Sequence, residues 1–307
     1  MKKQRITLRQ VFEHYQQDRP ELTTASIRNY TTRLKYLDDW MDIPLTHINK
    51  DMIVQRHKSI TDANGANKKA TANSVMRTFR TLWNYAQARY DNEKIEANPT
   101  LRLKQLRLWH RDRKRKTIIE NNQLPAWFRG VFALDNPTMR DFLLLLMFTG
   151  MRKEEGLGLT WDAVDLDAGI ITLKITKNKE ENVKIPLSDY AWQVMRLRFY
   201  GRKESRYVFP GRYDNDKPFS AGNIEDVTEV SGVSFCLHDL RRTFLTIGDD
   251  LDLKSEVLKQ LVNHQQRDIT EGYIFRSPER LRRASQQITN QILKLSGLDA
   301  TKGGMRA

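Results

Sequence analysis

The sequence predicts a mainly α-helical protein in two domains, with one small antiparallel β-hairpin in the second. Three observations carry that expectation. Apolar residues recur at steps of three and four through the first hundred positions, the composition turns abruptly basic from Leu101, and strict alternation enters only between Ile170 and Ile185. A chain of 307 residues has room for roughly two domains of 100 to 200 residues, each able to bury its own core.

The helical elements come first. Leu8, Val11, Phe12 and Tyr15 mark one helix, and Ile27, Tyr30, Leu34, Leu37 and Trp40 mark a single amphipathic helix over residues 23–40, with Thr23 and Thr24 as N-cap candidates. A third is marked by Val75, Phe79, Leu82, Tyr85 and Ala86, and its polar side carries Arg77 and Arg80. Residues 62–69 (DANGANKK) are rich in turn formers and lack apolar periodicity, so they form a loop. These elements make a small helical bundle over residues 1–101. Residues 101–117 (LRLKQLRLWHRDRKRKT) then hold eight Lys or Arg against Asp112 alone. Such a block repels itself, which predicts an extended linker over 102–117 that either orders on a phosphate backbone or stays a solvated tether.

The second domain is expected over residues 118–295. Helical spacing runs over 124–132 and 138–148, and a further helix begins near Arg152. Ile171, Leu173 and Ile175 face one way and Lys174 the other, the alternation resumes over 183–185, and residues 177–182 form a lysine-bearing tip. Helices resume near 238–248, 255–263 and 279–295, leaving 296–307 as a disordered tail.

Composition narrows the function. Lys and Arg number 52 against 38 Asp and Glu, a formal charge of +14, which points to a polyanionic partner, most simply nucleic acid. The one cysteine, Cys236, excludes an intrachain disulfide and a Cys-rich metal site. The longest apolar run, residues 142–148, is far short of the roughly 20 residues of a membrane helix, and the basic start lacks an apolar signal segment, so no membrane role is expected and a reducing cytoplasm is the default. The six histidines lack metal-ligand spacing, and Gly156-Leu157-Gly158 is too short for a dinucleotide loop. No metal or cofactor is expected.

Several residues of the second domain suit chemistry on a phosphate. Arg152 follows Thr149-Gly150-Met151, with Glu155 three residues on, where a carboxylate can steady the guanidinium. His238 and Arg241, three apart in His238-Asp239-Leu240-Arg241, share one helical face and can hold a phosphate between a ring and a bidentate fork. His264 ends the 261–264 segment, and Tyr273 follows nine residues later. Each signal alone also fits a surface ion pair, a chance pairing or a core aromatic.

Taken in order, Thr149-Gly150-Met151-Arg152 with Glu155, a lysine hairpin, His238-Asp239-Leu240-Arg241-Arg242, a helix-end His and a later Tyr resemble the tyrosine recombinase family, the integrases of phages and integrative elements. Val208-Phe209-Pro210 supports the likeness, which covers nearly the whole chain. It implies an all-α core-binding bundle followed by an α+β catalytic domain. It further implies that Arg152 and Arg241 clamp the scissile phosphate, Lys177 is the hairpin lysine, His238 and His264 fill the two histidine positions, Tyr273 is the nucleophile, and Glu155 stands behind Arg152. Lys174, Lys179 and Lys184 share the hairpin, and Lys177 is preferred for its place in Thr176-Lys177-Asn178. Where the family often has Leu-Gly-His, this chain has Val262-Asn263-His264, and Asn also tolerates a left-handed helix end. Many phage integrases carry an arm-binding domain before the bundle. Here the bundle pattern begins by Leu8, so this member lacks that domain or the chain is a fragment.

The implied chemistry is consistent with these residues. Tyr273 attacks the phosphate to form a 3′-phosphotyrosyl link that another 5′-hydroxyl reseals, without ATP. Arg152, Arg241 and His264 meet the growing negative charge, each arginine at about 3 to 4 kcal/mol by analogy with oxyanion donors. Lys177 protonates the 5′-oxygen, and His238 relays the tyrosine proton. For duplex binding the candidates are Lys68, Lys69, Arg77 and Arg80 in the bundle, each of which equally fits a non-contacting surface, and Arg111, Arg113, Lys114, Arg115 and Lys116 in the linker. Two basic domains on a basic linker can close around a duplex from opposite faces. The C-terminal helix, whose stripe is Leu281, Ile288, Ile292 and Leu293, can pack on its own domain or on a neighbour. The resemblance favours the neighbour, implying a homotetramer on DNA attachment sites through this helix, and it allows for accessory DNA-bending proteins. Phage-type integration is favoured over chromosome-dimer resolution or plasmid maintenance by the resemblance of Asn263-His264 and the 270–274 stretch to phage integrases. Two readings compete: an architectural DNA-binding protein without the chemistry, and a topoisomerase using the same residues without site preference.

Overall fold

A computed structural model describes residues 5–65, 67–90, 95–111, 116–173, 182–202, 204–221, 224–263 and 277–298. The chain divides into two units, Met1–Arg115 and Lys116–Ala307. The described architecture is mainly helical with one small antiparallel sheet, as the spacing predicts.

In the first unit, helix α1 (Leu8–Gln17) starts on a capping box in which the Thr7 hydroxyl accepts from Gln10 N–H and the Gln10 side chain accepts from Thr7 N–H. Helix α2 (Thr24–Leu34) is capped by Thr23. The single helix expected over 23–40 is in fact two pieces. A tighter 3-10 segment, Lys35–Trp40, follows α2 and breaks at Leu37 (φ −124°, ψ 23°). The break lets Leu34, Leu37 and Trp40 all reach the core. Helix α3 (Lys50–Asp62), capped by Asn49, was not legible from apolar spacing because two of its buried positions are polar, His57 and Thr61. Helix α4 (Lys69–Arg89) is the longest in the unit and packs on α1, α2 and α3, with Phe79 edge-on to Trp40 at 5.9 Å. Of the loop expected over 62–69, Asp62 ends α3 and Lys69 begins α4, with a short 3-10 turn, Ala63–Gly65, between them.

The extended linker expected over 102–117 is corrected at both ends. Helix α5 (Leu101–Gln105) packs on α3 with Leu103 fully buried. Beyond it the His110 ring stacks on His57 at 4.7 Å, while Asn73 donates to His110 O at 2.8 Å and accepts from His110 N–H at 3.2 Å. Lys104, Arg107 and Arg111 are exposed, whereas Leu103 is buried and Leu108 and Trp109 pack against the core. Self-repulsion of the charges does not outweigh that burial and hydrogen bonding. At the other end Thr117 is bonded to the second unit, its hydroxyl donating to Asp239 Oδ1 at 2.9 Å. Arg113, Lys114 and Arg115 lie outside the described residues.

The second unit is built around helix α7 (Pro137–Thr149), where every residue from Phe142 to Thr149 is buried. A helix apolar on all sides must be surrounded. Its neighbours are α6 (Leu124–Phe132), α8 (Lys153–Leu157), α9 (Asp189–Tyr200), α11 (Leu237–Asp250) and α13 (Pro278–Ser296), while α10 (Glu225–Ser231) packs on α6. Helix α12 (Ser255–Leu261) lies against α11 and α13. The expected hairpin is present as β2 (Ile170–Leu173) and β3 (Val183–Pro186), with Ile171 opposite Ile185 and Leu173 opposite Val183. A short strand β1 (Val164–Asp165), absent from the sequence reading, extends the sheet in the order β1-β2-β3. Lys177 and the hairpin tip lie outside the described residues. Among the described residues no helix is long and apolar enough to cross a membrane.

Helix α13 corrects a second expectation. Its Ala284, Ile288, Ile292 and Leu293 are buried within their own unit, and Leu281 packs against the same core. Thr289 and Ser188 hydroxyls meet at 2.8 Å, and Gln286 accepts from Asp189 N–H at 2.8 Å. The apolar stripe assigned to a neighbouring copy is thus already covered. Ser296, expected in the tail, is instead buried and Leu298 packs on the core, while residues 299–307 lie outside the described residues.

Gly130 lets α6 and α10 approach: a Cβ there would lie 2.8 Å from Val227 O and 3.0 Å from Ser231 Cβ. In Gly130→Ala, overpacking of about 1 to 3 kcal/mol opposes a helix-propensity gain of about 1 kcal/mol. The expected outcome is a net loss, read as a lower urea midpoint at unchanged slope.

Candidate active site

The site grows from the two ends of helices in the second unit. Helix α7 stops at Gly150 (φ 63°), where an added Cβ would meet Phe244 Cδ1 and Val262 Cγ1, each at 2.8 Å. Both the left-handed backbone and the lack of space demand glycine. Buried Met151 anchors the turn. Arg152 then stands at the N-cap of α8, where Glu155 closes a box: its Oε2 accepts from Arg152 N–H at 2.8 Å and its Oε1 from Arg152 Nη1 at 2.7 Å. The expected Arg152–Glu155 pair is therefore present, at the start of a helix rather than along its face.

Arg152 Nη1 also donates to Asn263 O at 2.9 Å, 111 positions away. Asn263 has the left-handed backbone (φ 50°) that the sequence comparison with Leu-Gly-His allows, and its side chain reaches Glu155 Oε1 at 3.4 Å. His264 follows it directly, and both His264 and Tyr273 lie outside the described residues.

Helix α11 supplies the rest. Arg241, only 4% exposed, donates from Nη1 to Gly150 O at 2.9 Å. Burial pushes its pKa down to about 10, with the Arg152 charge acting in the same direction and Glu155 against it. It remains a cation at neutral pH. His238, one turn earlier, is exposed. Its pKa is lowered by the desolvation of its ring, then by the charges of Arg242 and Arg241, with Arg152 contributing and Asp239 opposing. Arg152, Arg241 and His238, from segments some 90 positions apart, thus share one electrostatic neighbourhood. Like charges brought together beside an open surface make a field for an anion. The first turn of the 14-residue α11 adds its own positive end.

Sequence reasoning missed the carbonyls of Gly150 and Asn263 and the burial of Asp239. Backbone acceptors leave no residue-type signal, although Asn263 at a left-handed position beside His264 is one that can be sought.

The first unit holds a second cationic feature. Arg77 and Arg80, exposed on α4, both lie over the Trp109 ring, at 5.7 and 5.8 Å. With Thr100, Leu101 and Lys104 they line a groove of about 330 Å³. Lys104 and Trp109 were not singled out from sequence because they lay in the presumed linker. Lys68 is half-buried, and Lys69, Arg111 and Lys116 are exposed.

Comparison with known proteins decides the family. Residues 130–280 match the phage integrase family, and residues 7–104 match the phage integrase SAM-like domain. The chain belongs to the tyrosine recombinase family. Among its relatives, prophage integrase IntF of Escherichia coli K12 is 29% identical over 195 residues, 60% of this chain and 41% of IntF. Tyrosine recombinase XerC of Xylella fastidiosa is 32% identical over 149 residues, 45% of this chain and 48% of XerC. The matches thus span less than half the length of these curated relatives. In fold, the Tn1549 transposon integrase in complex with circular intermediate DNA aligns with a TM-score of 0.68 at 16% identity, over 91% of this chain and 98% of that one. A lambda integrase dimer bound to a COC′ core site aligns with a TM-score of 0.66 at 14% identity, over 89% and 98%. The tyrosine recombinase fold is shared across both units.

The lowered pKa of His238 has a consequence for stability. An unfolded histidine takes up its proton near pH 6.5 while the folded ring resists it, so the unfolded state binds more protons as pH falls. The native state should lose stability between neutral and mildly acidic pH, and His238→Gln should lose less over the same range. Urea unfolding of both proteins at a series of pH values checks the sign.

Proposed function

We propose that this chain is a site-specific DNA recombinase, an integrase that cuts and rejoins duplex DNA through a 3′-phosphotyrosyl intermediate to integrate or excise a phage or mobile element. The observation that carries the reading is the pairing of Arg152 and Arg241, two guanidiniums held together by Gly150 O, Asn263 O and Glu155 in a chain of this family. Side-chain nitrogens left over from those bonds can bind the non-bridging oxygens of a phosphate.

In the proposed reaction Tyr273 Oη attacks the scissile phosphorus. A Tyr–phosphate bond forms as the bond to the 5′-oxygen breaks. The tyrosine proton passes to His238, whose low proton affinity keeps it neutral and able to accept at neutral pH. Lys177 gives a proton to the departing 5′-oxygen. Arg152, Arg241 and His264 carry the negative charge that grows on the phosphate. Attack by a second 5′-hydroxyl reverses these steps and joins new partners. Each step is carried by side chains, with no cofactor or nucleotide assigned. Lys177, His264 and Tyr273 enter on the family resemblance, and Glu155 acts by holding Arg152.

Duplex attachment sites are the proposed substrate. The Trp109 ring holds Arg77 and Arg80 at one groove with Lys104, a combination suited to phosphate contact and base stacking. Lys68, Lys69, Arg111, Arg113, Lys114, Arg115 and Lys116 are proposed as further phosphate contacts. A related structure is a lambda integrase tetramer bound to a Holliday junction. We infer a tetramer on DNA for this chain as well, assembled through surfaces other than the covered stripe of α13. Accessory DNA-bending proteins and a cytoplasmic place of action accompany the reading.

Covalent capture tests it. Wild type and Tyr273→Phe are incubated with fragmented DNA from the source genome, denatured, and the protein-linked DNA is sequenced. Adducts at a narrow set of sites, lost in Tyr273→Phe, are expected. Scattered adducts would favour a topoisomerase, and binding without adducts an architectural protein. Arg152→Ala or Arg241→Ala should each slow adduct formation by about a hundredfold to a thousandfold.

The groove makes a separate prediction for binding. Arg80→Ala should weaken duplex affinity and reduce the slope of log K against log salt by about 0.9 if one phosphate contact is lost. Fluorescence anisotropy over a salt series reads both.

A further inference from the structure

We propose that Asp239 is a positioning residue of this site, its carboxylate clasping the chain segment at Thr117 to the first turn of α11 and so setting where His238 and Arg241 stand; the inference rests on the recombinase reading above. Asp239 lies between those two residues in sequence but is turned inward and is 2% exposed. Three donors converge on it. Thr117 Oγ1 and Arg242 Nη1 each donate to Oδ1 at 2.9 Å, and Cys236 N–H donates to Oδ2 at 2.9 Å.

The clasp has further strands. Arg242 Nη1 also donates to Thr117 O at 3.4 Å, and Ile119 N–H donates to the buried hydroxyl of Thr243 at 2.9 Å. Residues 117–119 are thereby fastened along α11 on both sides of Leu240 and Arg241. A capping aspartate needs only the backbone donor at the helix start. Here the same carboxylate also takes the Thr117 hydroxyl from outside the helix and the guanidinium of Arg242 from the next turn of α11, and both lead to the segment at Thr117. Small displacements matter in such a site, because a reacting group misplaced by about 1 Å can cost about a hundredfold in rate.

The carboxylate also shapes the charge around His238. Among the described residues, the charged groups acting on that ring are Arg242, Arg241 and Asp239 on its own helix and Arg152 from the α7–α8 turn. Asp239 is the only one of the four that favours the protonated ring. Its neutralisation would leave three cations unopposed.

The test measures adduct formation in single turnover on the captured DNA site, using the full chain, over a range of pH. Asp239→Asn keeps the shape but removes the charge. It should bind the duplex with wild-type affinity, form adduct about tenfold to a hundredfold more slowly, and show an acid limb displaced to lower pH. Thr117→Val removes one arm of the clasp and leaves the cap and charge intact. It should react about threefold to tenfold more slowly with the acid limb unmoved and the same thermal midpoint. Wild-type rates and pH profiles in both variants would overturn the proposal. So would a Thr117→Val protein of wild-type rate beside an Asp239→Asn protein that fails to fold, since Asp239 would then be a helix cap alone. If wild type itself yields no adduct while binding DNA as Tyr273→Phe does, the recombinase reading fails and the positioning role goes with it.

Discussion

Two guanidinium groups within range of each other's charge repel, and in the second unit Arg152 and Arg241 are placed so. What holds them is a set of acceptors at helix ends. Gly150 O, at the C-terminal end of α7, takes Arg241, and Asn263 O, just past α12, takes Arg152. The C-terminal end of a helix carries unsatisfied carbonyls and partial negative charge, so it is a natural seat for a cation. Among the described residues Glu155 supplies the full negative charge in contact with the pair. The arrangement therefore suits the phosphate that the proposed reaction brings to it, since an anion relieves the remaining repulsion.

The same constraint explains the backbone around the site. Gly150 and Asn263 both adopt left-handed φ, and both present a carbonyl to an arginine. A helix that ends in this conformation turns sharply and exposes its last acceptors. Gly150 has no alternative, since Phe244 and Val262 occupy the space of a side chain. Those two residues belong to α11 and to the end of α12, so the packing that forbids a Cβ also brings Arg241 and Asn263 to α7. Core packing and site geometry are one arrangement here.

Some features escaped sequence reading for physical reasons. Periodicity detects apolar faces, and α3 buries a histidine and a threonine instead, satisfied by Asn73 and by backbone and His110 partners. Charge counting over 102–117 saw eight cations but not that Leu103, Trp109 and His110 pack inward. The long stripe of α13 was legible as apolar, yet its pattern does not say whether its own unit or another copy covers it. The β1 strand, two residues long, is below the length at which alternation can be seen.

The sequence by itself determined the helical character of both units, the hairpin, and the residue types of a phosphate-directed site, because periodicity and short motifs are local properties of the chain. Thr149-Gly150-Met151-Arg152 and His238-Asp239-Leu240-Arg241 could each be read as they stand. Only the tertiary structure decided that Arg152, Arg241 and His238 share one neighbourhood, that Asp239 faces inward to Thr117, and that Trp109 lies under Arg77 and Arg80. Those facts depend on contacts between segments far apart in the chain and on backbone carbonyls, which every residue possesses and no residue type announces.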